Sequence, residues 1–244
     1  MNPIASPATS PNNLLAALKP ADLALLAEHL TVQESAGGEV LFEQGDTVRH
    51  AYFPCGPTLV SFVVSVDGCR GVETALIGRE GAVGGIVSQG RLPAYCRAVV
   101  QNRGGRLLRI ESGQLEAAKA QSQSLRHLFA RYADCLLAQV FQSVACNVTH
   151  NIEQRTCKWL VAAVERTGTT RIAMTQDELA SMLGVGRSYL SVFLKTLKAR
   201  NLIATGRGTV EVLSPQALAR LACGCNGLVK AHFNEVLSGV YPAP

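Results

Sequence analysis

Arg187, Ser188, Ser191, Val192 and Lys195 follow one another at steps of one, three, one and three residues, the spacing of side chains that share one face of a helix. A guanidinium at the start of such a face can pair bidentately with a guanine edge in a major groove. Ser188 and Tyr189 can add base or phosphate contacts beside it. The chemistry on offer is hydrogen bonding and positive charge rather than bond breaking. No nucleophile-base pair, Walker-type phosphate loop or paired carboxylate motif occurs in the chain. The expectation is therefore not an enzyme, with no catalytic residue.

Two helices and a hairpin must position that face. Thr175 with Glu178 three residues on forms a capping box, each side chain accepting from an amide of the first turn. Leu179 and Leu183 line one face, Ala180 admits close approach, and Gly184 can take the positive φ that ends the helix. A second helix runs from about Arg187 to Ala199, with Leu190, Leu194 and Leu197 turned to the first. Ile203 to Thr205 and Thr209 to Leu213 are β-prone runs joined through Gly206-Arg207-Gly208, a hairpin that places Arg207 to touch a phosphate. The pattern is a helix-turn-helix followed by a wing.

Charge supports a polyanion as partner. From Arg187 to Arg207 there are five basic residues and no acidic one. Residues 150–208 hold nine lysines and arginines against four acidic residues, a net of +5 that equals the net charge of the whole chain, so the remainder balances to zero. Positive charge gathered on one small domain is the footprint of phosphate binding.

The other segments bound the architecture. With 244 residues, 48% of them hydrophobic, the chain suits one large or two modest domains. Residues 135–152 lack charge but carry too many polar groups for a bilayer span, so no membrane partner and a cytoplasmic location are expected. Residues 1–13 read as a flexible lead-in. β-Prone runs at Glu39–Phe42, Leu59–Val66, Val72–Ile77 and Arg106–Ile110 mark a β-rich domain over 14–122. The eight cysteines, at 55, 69, 96, 135, 146, 157, 223 and 225, read as reduced core thiols. Cys223-x-Cys225 is short for a zinc ribbon and His232 is a distant partner, so neither metal nor cofactor is expected.

Residues 123–147 read as a long dimerisation helix. Leu125, Phe129, Tyr132, Leu136, Val140 and Val144 form a seam for a partner helix, while Leu128, Leu137 and Phe141 form a neighbouring stripe for the chain's own β domain. A strict heptad continued from Leu136 would bring Gln139 and Ser143 into the seam, so the contact either drifts to Val140 and Val144 or becomes polar. Residues 148–244 would hold the winged helix-turn-helix and a helical extension from Ser214.

This layout resembles the cyclic-AMP receptor and fumarate-nitrate regulator (Crp/Fnr) family of bacterial transcription factors over about residues 14–222. The resemblance rests on Gly38-Glu39-Val40-Leu41-Phe42-Glu43-Gln44-Gly45-Asp46, Ala51-Tyr52-Phe53, the stretch Gly81–Arg97, and Thr175–Val212 without a gap. It implies an α+β fold: an N-terminal cyclic-nucleotide-binding-like β-roll, a long dimerisation helix and a C-terminal winged helix-turn-helix. It further implies a homodimer on palindromic double-stranded DNA, with RNA polymerase as a partner. Within the roll, Gly84 and Gly85 lie in the stretch that would approach a ligand, with Gly85, Leu92 and Pro93 where nucleotide-binding members place Glu, Arg and Ser. Val140 and Phe141 replace a polar pair on the helix, while Arg91 or Arg97 and the Gly81-x-x-Gly84-Gly85 backbone leave a different phosphorylated ligand open. A cyclic phosphate left without matched donors costs several kcal/mol to bury, so the implied pocket is degenerate and its effector unknown. The alternative reading is a ligand-sensing regulatory subunit that docks on a protein partner without specific DNA binding.

Overall fold

The computed structural model describes residues 11–66, 70–87, 93–101 and 103–238. Residues 1–10, Cys69, Arg91 and Leu92 lie outside them. Two short helices, α1 (Asn13–Ala16) and α2 (Pro20–Ala27), precede strands β1 (Thr31–Ala36), β2 (Val40–Phe42), β3 (His50–Pro54), β4 (Val60–Val66), β5 (Arg70–Ile77), β6 (Val83–Gly84), β7 (Arg97–Val100) and β8 (Gly104–Glu111). Helices α3 (Ser112–Gln121), α4 (Gln123–Thr149) and α5 (Ile152–Thr167) follow. Then come β9 (Arg171–Ile172), α6 (Gln176–Met182), α7 (Arg187–Ala199), β10 (Ile203–Gly206), β11 (Thr209–Val212), α8 (Pro215–Leu221) and α9 (Cys225–Ser238).

The first eight strands form two antiparallel sheets, ordered β1-β8-β3-β6 and β2-β7-β4-β5. Side-chain alternation divides their faces: Tyr52 and Leu107 join Phe42, Val60, Ile77 and Val100 inside the roll, whereas Ala51, Phe53, Leu108 and Ile110 face the helices. Gly84 marks a close crossing, because at its φ of +109° a Cβ would lie 2.3 Å from the His50 carbonyl oxygen. Asn12, assigned by sequence to the lead-in, is fully buried. Its side chain donates to the carbonyls of Pro54 and Gly81 and accepts from the Leu15 amide.

Helix α4 has 27 residues and so spans about 40 Å. Its packing reverses the expected seam. Leu125, Phe129 and Tyr132 are at most 1% exposed and sit in the chain's own core with Leu128, while Leu136 and Val140 lie partly buried against the roll. The Tyr132 hydroxyl both accepts from the Ala82 amide at 2.9 Å and donates to the Ala82 carbonyl at 3.0 Å, which pins the helix to the roll. Gln139 also turns inward and donates to the Leu76 carbonyl. The open side instead carries Leu137, Phe141, Val144 and Val148. Of the expected seam, Val144 alone is on that side.

Helix α5 starts at a capping box, Asn151 with Gln154, two residues after α4 ends. It docks on the roll by named polar contacts: Trp159 Nε1 donates to Glu73 at 2.8 Å, Ser61 hydrogen-bonds the other Glu73 oxygen, and Arg166 pairs with Glu80 at 2.8 Å. Glu73 is half-buried, and desolvation pushes its carboxyl above the usual range against the lowering influence of Ser61, Trp159, Arg166 and Lys158. The extension braces its own chain, with Leu218 of α8 in the core of the C-terminal domain and Phe233 of α9 edge-on to Tyr132. Among the described residues no helix is long and apolar enough to cross a membrane.

Candidate nucleic-acid interface

The turn between α6 and α7 is built from local hydrogen bonds. Thr175 Oγ1 accepts from the Glu178 amide at 3.1 Å and the Glu178 carboxylate accepts from the Thr175 amide at 2.6 Å, the reciprocal box expected from sequence. Thr175 is thus committed to capping, although its side of the helix start is exposed. Gly184 takes φ +68° and its amide donates to the Ser181 carbonyl. From α5, Arg155 Nη2 donates to the Leu183 carbonyl at 2.7 Å, capping the end of α6 from a separate helix.

Leu190, Phe193, Leu194 and Leu197 bury the inner face of α7. Phe193 is an addition to the three leucines anticipated. The outer face presents Arg187, Ser188, Tyr189, Val192 and Lys195 to solvent, with Ser191 half-buried among them. Gly186, the N-cap, has no side chain to accept from the first-turn amides, so those donors and the positive end of the helix dipole face the same side as Arg187. Arg187 forms an exposed ion pair with Asp177 of α6 at 3.2 Å. Such pairs contribute about 0–1 kcal/mol, so Asp177 orients the guanidinium without locking it away from a groove. Sequence reasoning passed over both Asp177 and Arg155; the second lies in the first turn of α5, 28 residues from the carbonyl it caps, with no local signal to link them.

The wing is a two-residue turn. Gly206 pairs with Thr209, Gly208 takes φ +65°, and Arg207 is exposed at the tip. Strand β9 adds to β11, making a three-stranded sheet. Asn201 at φ +54° turns the chain from α7 into β10.

In the roll, a cavity of about 180 Å³ is lined by Phe42, Phe62, Gly84, Gly85, Pro93 and Ser112 among others. No cationic side chain of the described residues lines it. Arg97 points away, pairing with Glu43 at 3.5 Å on the surface, and the Ser112 hydroxyl donates to the Val48 carbonyl. Val140 packs on the roll's interior, whereas Phe141 is 64% exposed on the far side of α4 and does not line this cavity within the single chain. Leu92 lies outside the described residues.

One constellation was not anticipated. Cys146, His150, Cys223 and Cys225 bring their ligand atoms within 4.8 Å of one another, whereas His232 is exposed and takes no part. Burial pushes the Cys223 thiol up to about 12; it opposes ionisation of Cys146 too, but Lys158 and hydrogen bonding with Cys223 hold that thiol below its ordinary value. The sequence signal was present as Cys146-x-x-x-His150 at the end of α4, far from the Cys-x-Cys pair it meets.

Comparison with known proteins agrees with this construction. Residues 154–221 match the Crp-like helix-turn-helix domain family. FixK2 from Bradyrhizobium japonicum has a similar fold, with a TM-score of 0.65 at 14% identity over 80% of this chain and 98% of that one. The regulator CLP of Xanthomonas campestris, described as responsive to c-di-GMP, gives 0.64 at 16% identity over 80% and 100%. TTHB099, a Crp-family transcriptional regulator from Thermus thermophilus, gives 0.64 at 21% identity over 78% and 96%. No curated protein sequence matches the chain.

Proposed function

We propose that this chain, which carries a Crp-like helix-turn-helix domain at residues 154–221 on the fold of the Crp/Fnr regulators, is a homodimeric, sequence-specific transcriptional regulator. The observation that carries the reading is the outer face of α7: an exposed Arg187, uncapped first-turn amides and polar neighbours, on a helix whose inner face is fully packed. In that arrangement Arg187 reads a guanine edge, Ser188, Tyr189, Ser191 and Lys195 contact bases or backbone, Val192 meets the base edges, and Arg207 reaches a phosphate from the wing.

Dimerisation supplies the second reading head. Leu137, Phe141, Val144 and Val148 are spaced four, three and four residues apart, a heptad seam that water covers in the single chain. A two-fold axis along this stripe sets two α7 helices about one turn of DNA apart, ~34 Å, on a palindromic operator. The roll pocket, apolar where a cyclic phosphate needs donors, is degenerate and does not take cyclic AMP. The protein works by binding rather than catalysis, with DNA and RNA polymerase as partners, in the cytoplasm where both are found.

The test is selection of sites from random duplex DNA by purified full-length protein at fixed salt, with and without cyclic AMP. A palindromic motif enriched equally in both arms is expected. Enrichment only with nucleotide overturns the pocket reading, and no motif in either arm overturns specific DNA binding.

A further inference from the structure

We infer that Cys146, His150, Cys223 and Cys225 form a tetrahedral Cys₃His site for a single zinc ion, which staples the C-terminal extension to the joint between α4 and α5. The geometry is that of one ion. Zinc bound at about 2.3 Å to sulfur and about 2.0–2.1 Å to nitrogen sets ligand atoms about 3.8 Å apart for two sulfurs and about 3.6 Å for sulfur and nitrogen. Here Cys146 Sγ lies 3.6 Å from Cys223 Sγ, and His150 Nδ1 lies 3.6 Å from Cys225 Sγ. All four atoms fall within 4.8 Å of one another. An iron-sulfur cluster interposes its own sulfides between ligands and needs them spread more widely, so this spacing selects a mononuclear ion.

The surroundings match bound thiolates. Gln142 Nε2 donates to Cys225 Sγ at 3.2 Å and Lys158 Nζ to Cys146 Sγ at 3.3 Å, the outer hydrogen bonds that support ligating sulfur. Three thiolates around Zn²⁺ carry one net negative charge, which the Lys158 ammonium offsets. Thr149 Oγ1 lies closer to the Ala145 carbonyl, at 2.7 Å, than to His150 Nδ1, at 3.2 Å, so that hydroxyl has another acceptor. Soft sulfur with imidazole favours zinc over magnesium or calcium.

The position gives the ion a mechanical role. Cys146 is in the last turn of α4 and His150 caps that helix, immediately before the N-cap of α5. Cys225 opens α9 and Cys223 precedes it. Zinc therefore ties residue 150, the joint itself, to the extension.

Tag-free full-length protein, purified without chelator, is expected to hold one zinc per chain. Replacing zinc with cobalt should give the visible bands of a tetrahedral thiolate complex. Cys225→Ser should lose the metal, whereas His150→Cys should retain it and shift the cobalt charge-transfer bands as a fourth thiolate replaces imidazole. Chelation should lower Tm of the wild type but not of Cys225→Ser. A reduced wild type that takes up neither zinc nor cobalt stoichiometrically overturns the site. So does a Cys146–Cys223 disulfide in protein prepared without oxygen, or metal retained after both Cys223 and Cys225 become serine.

Discussion

Helices α4 and α7 both leave one side uncovered, but with opposite chemistry. The open side of α7 holds Arg187, Ser188 and Lys195 around a single valine, while that of α4 between residues 137 and 148 holds Leu137, Phe141, Val144 and Val148. A surface of donors and charge suits a hydrated polyanion, whereas an apolar row at heptad spacing suits another helix. In the proposed function, one face reads and the other pairs.

The largest expected effects separate the two apolar stripes of α4. Leu125→Ala opens a cavity in the chain's own core and should cost about 2–5 kcal/mol of folding stability. It should leave the sedimentation of the folded protein that of a dimer. Phe141→Asp should do the reverse, weakening the dimer by about 2 kcal/mol or more, roughly thirtyfold in dissociation constant, with little change in Tm at high protein concentration. If Phe141→Asp remains a dimer, the exposed stripe is not the interface.

Next in size is Arg187→Ala, expected to cost about 1–3 kcal/mol at one base pair of each half-site while other positions keep their preference. Equal weakening on every sequence would place Arg187 on phosphate instead.

Glu73 probes how the C-terminal domain sits on the roll. Its folded carboxyl titrates above the ordinary carboxylate range, so its contribution to stability is fully present below that range and is lost as pH rises through the raised folded value. Glu73→Gln keeps an acceptor for Trp159 without the charge. It should raise Tm at pH 8 and lose that advantage at pH 4, as thermal melts across the range would reveal. An advantage independent of pH would mean that Glu73 does not titrate in this way. Arg207→Ala should have the smallest effect, under about 1 kcal/mol on all sequences, with the salt slope of binding reduced by about one.

What could be read from sequence depended on range. The capping box at Thr175 and Glu178, the turn at Gly184 and the hairpin at Gly206–Thr209 are set by residues within a few positions of one another, and each was legible. Helix α4 was legible as a helix, but not in its orientation. Both stripes are apolar, and the choice between them is made by β3, β8 and α9, which contribute Phe53, Ile110 and Phe233 to the core facing Leu125 and Phe129. Phe141 went astray for that reason, read as part of a stripe for the roll but exposed on the open side. Cys146 and Cys223, 77 residues apart, could not be paired by spacing at all. Strand β3 was missed as a strand because its Ala51-Tyr52-Phe53-Pro54 run is buried throughout and lacks clear alternation.

In the proposed function, a dimer formed through α4 delivers two α7 faces to one side of a duplex. Hydroxyl-radical footprinting on a selected operator tests it most directly. Two protected segments are expected, about one helical turn apart on the same face and lost together in Phe141→Asp. A single protected segment, or two that persist unchanged in that variant, would contradict it.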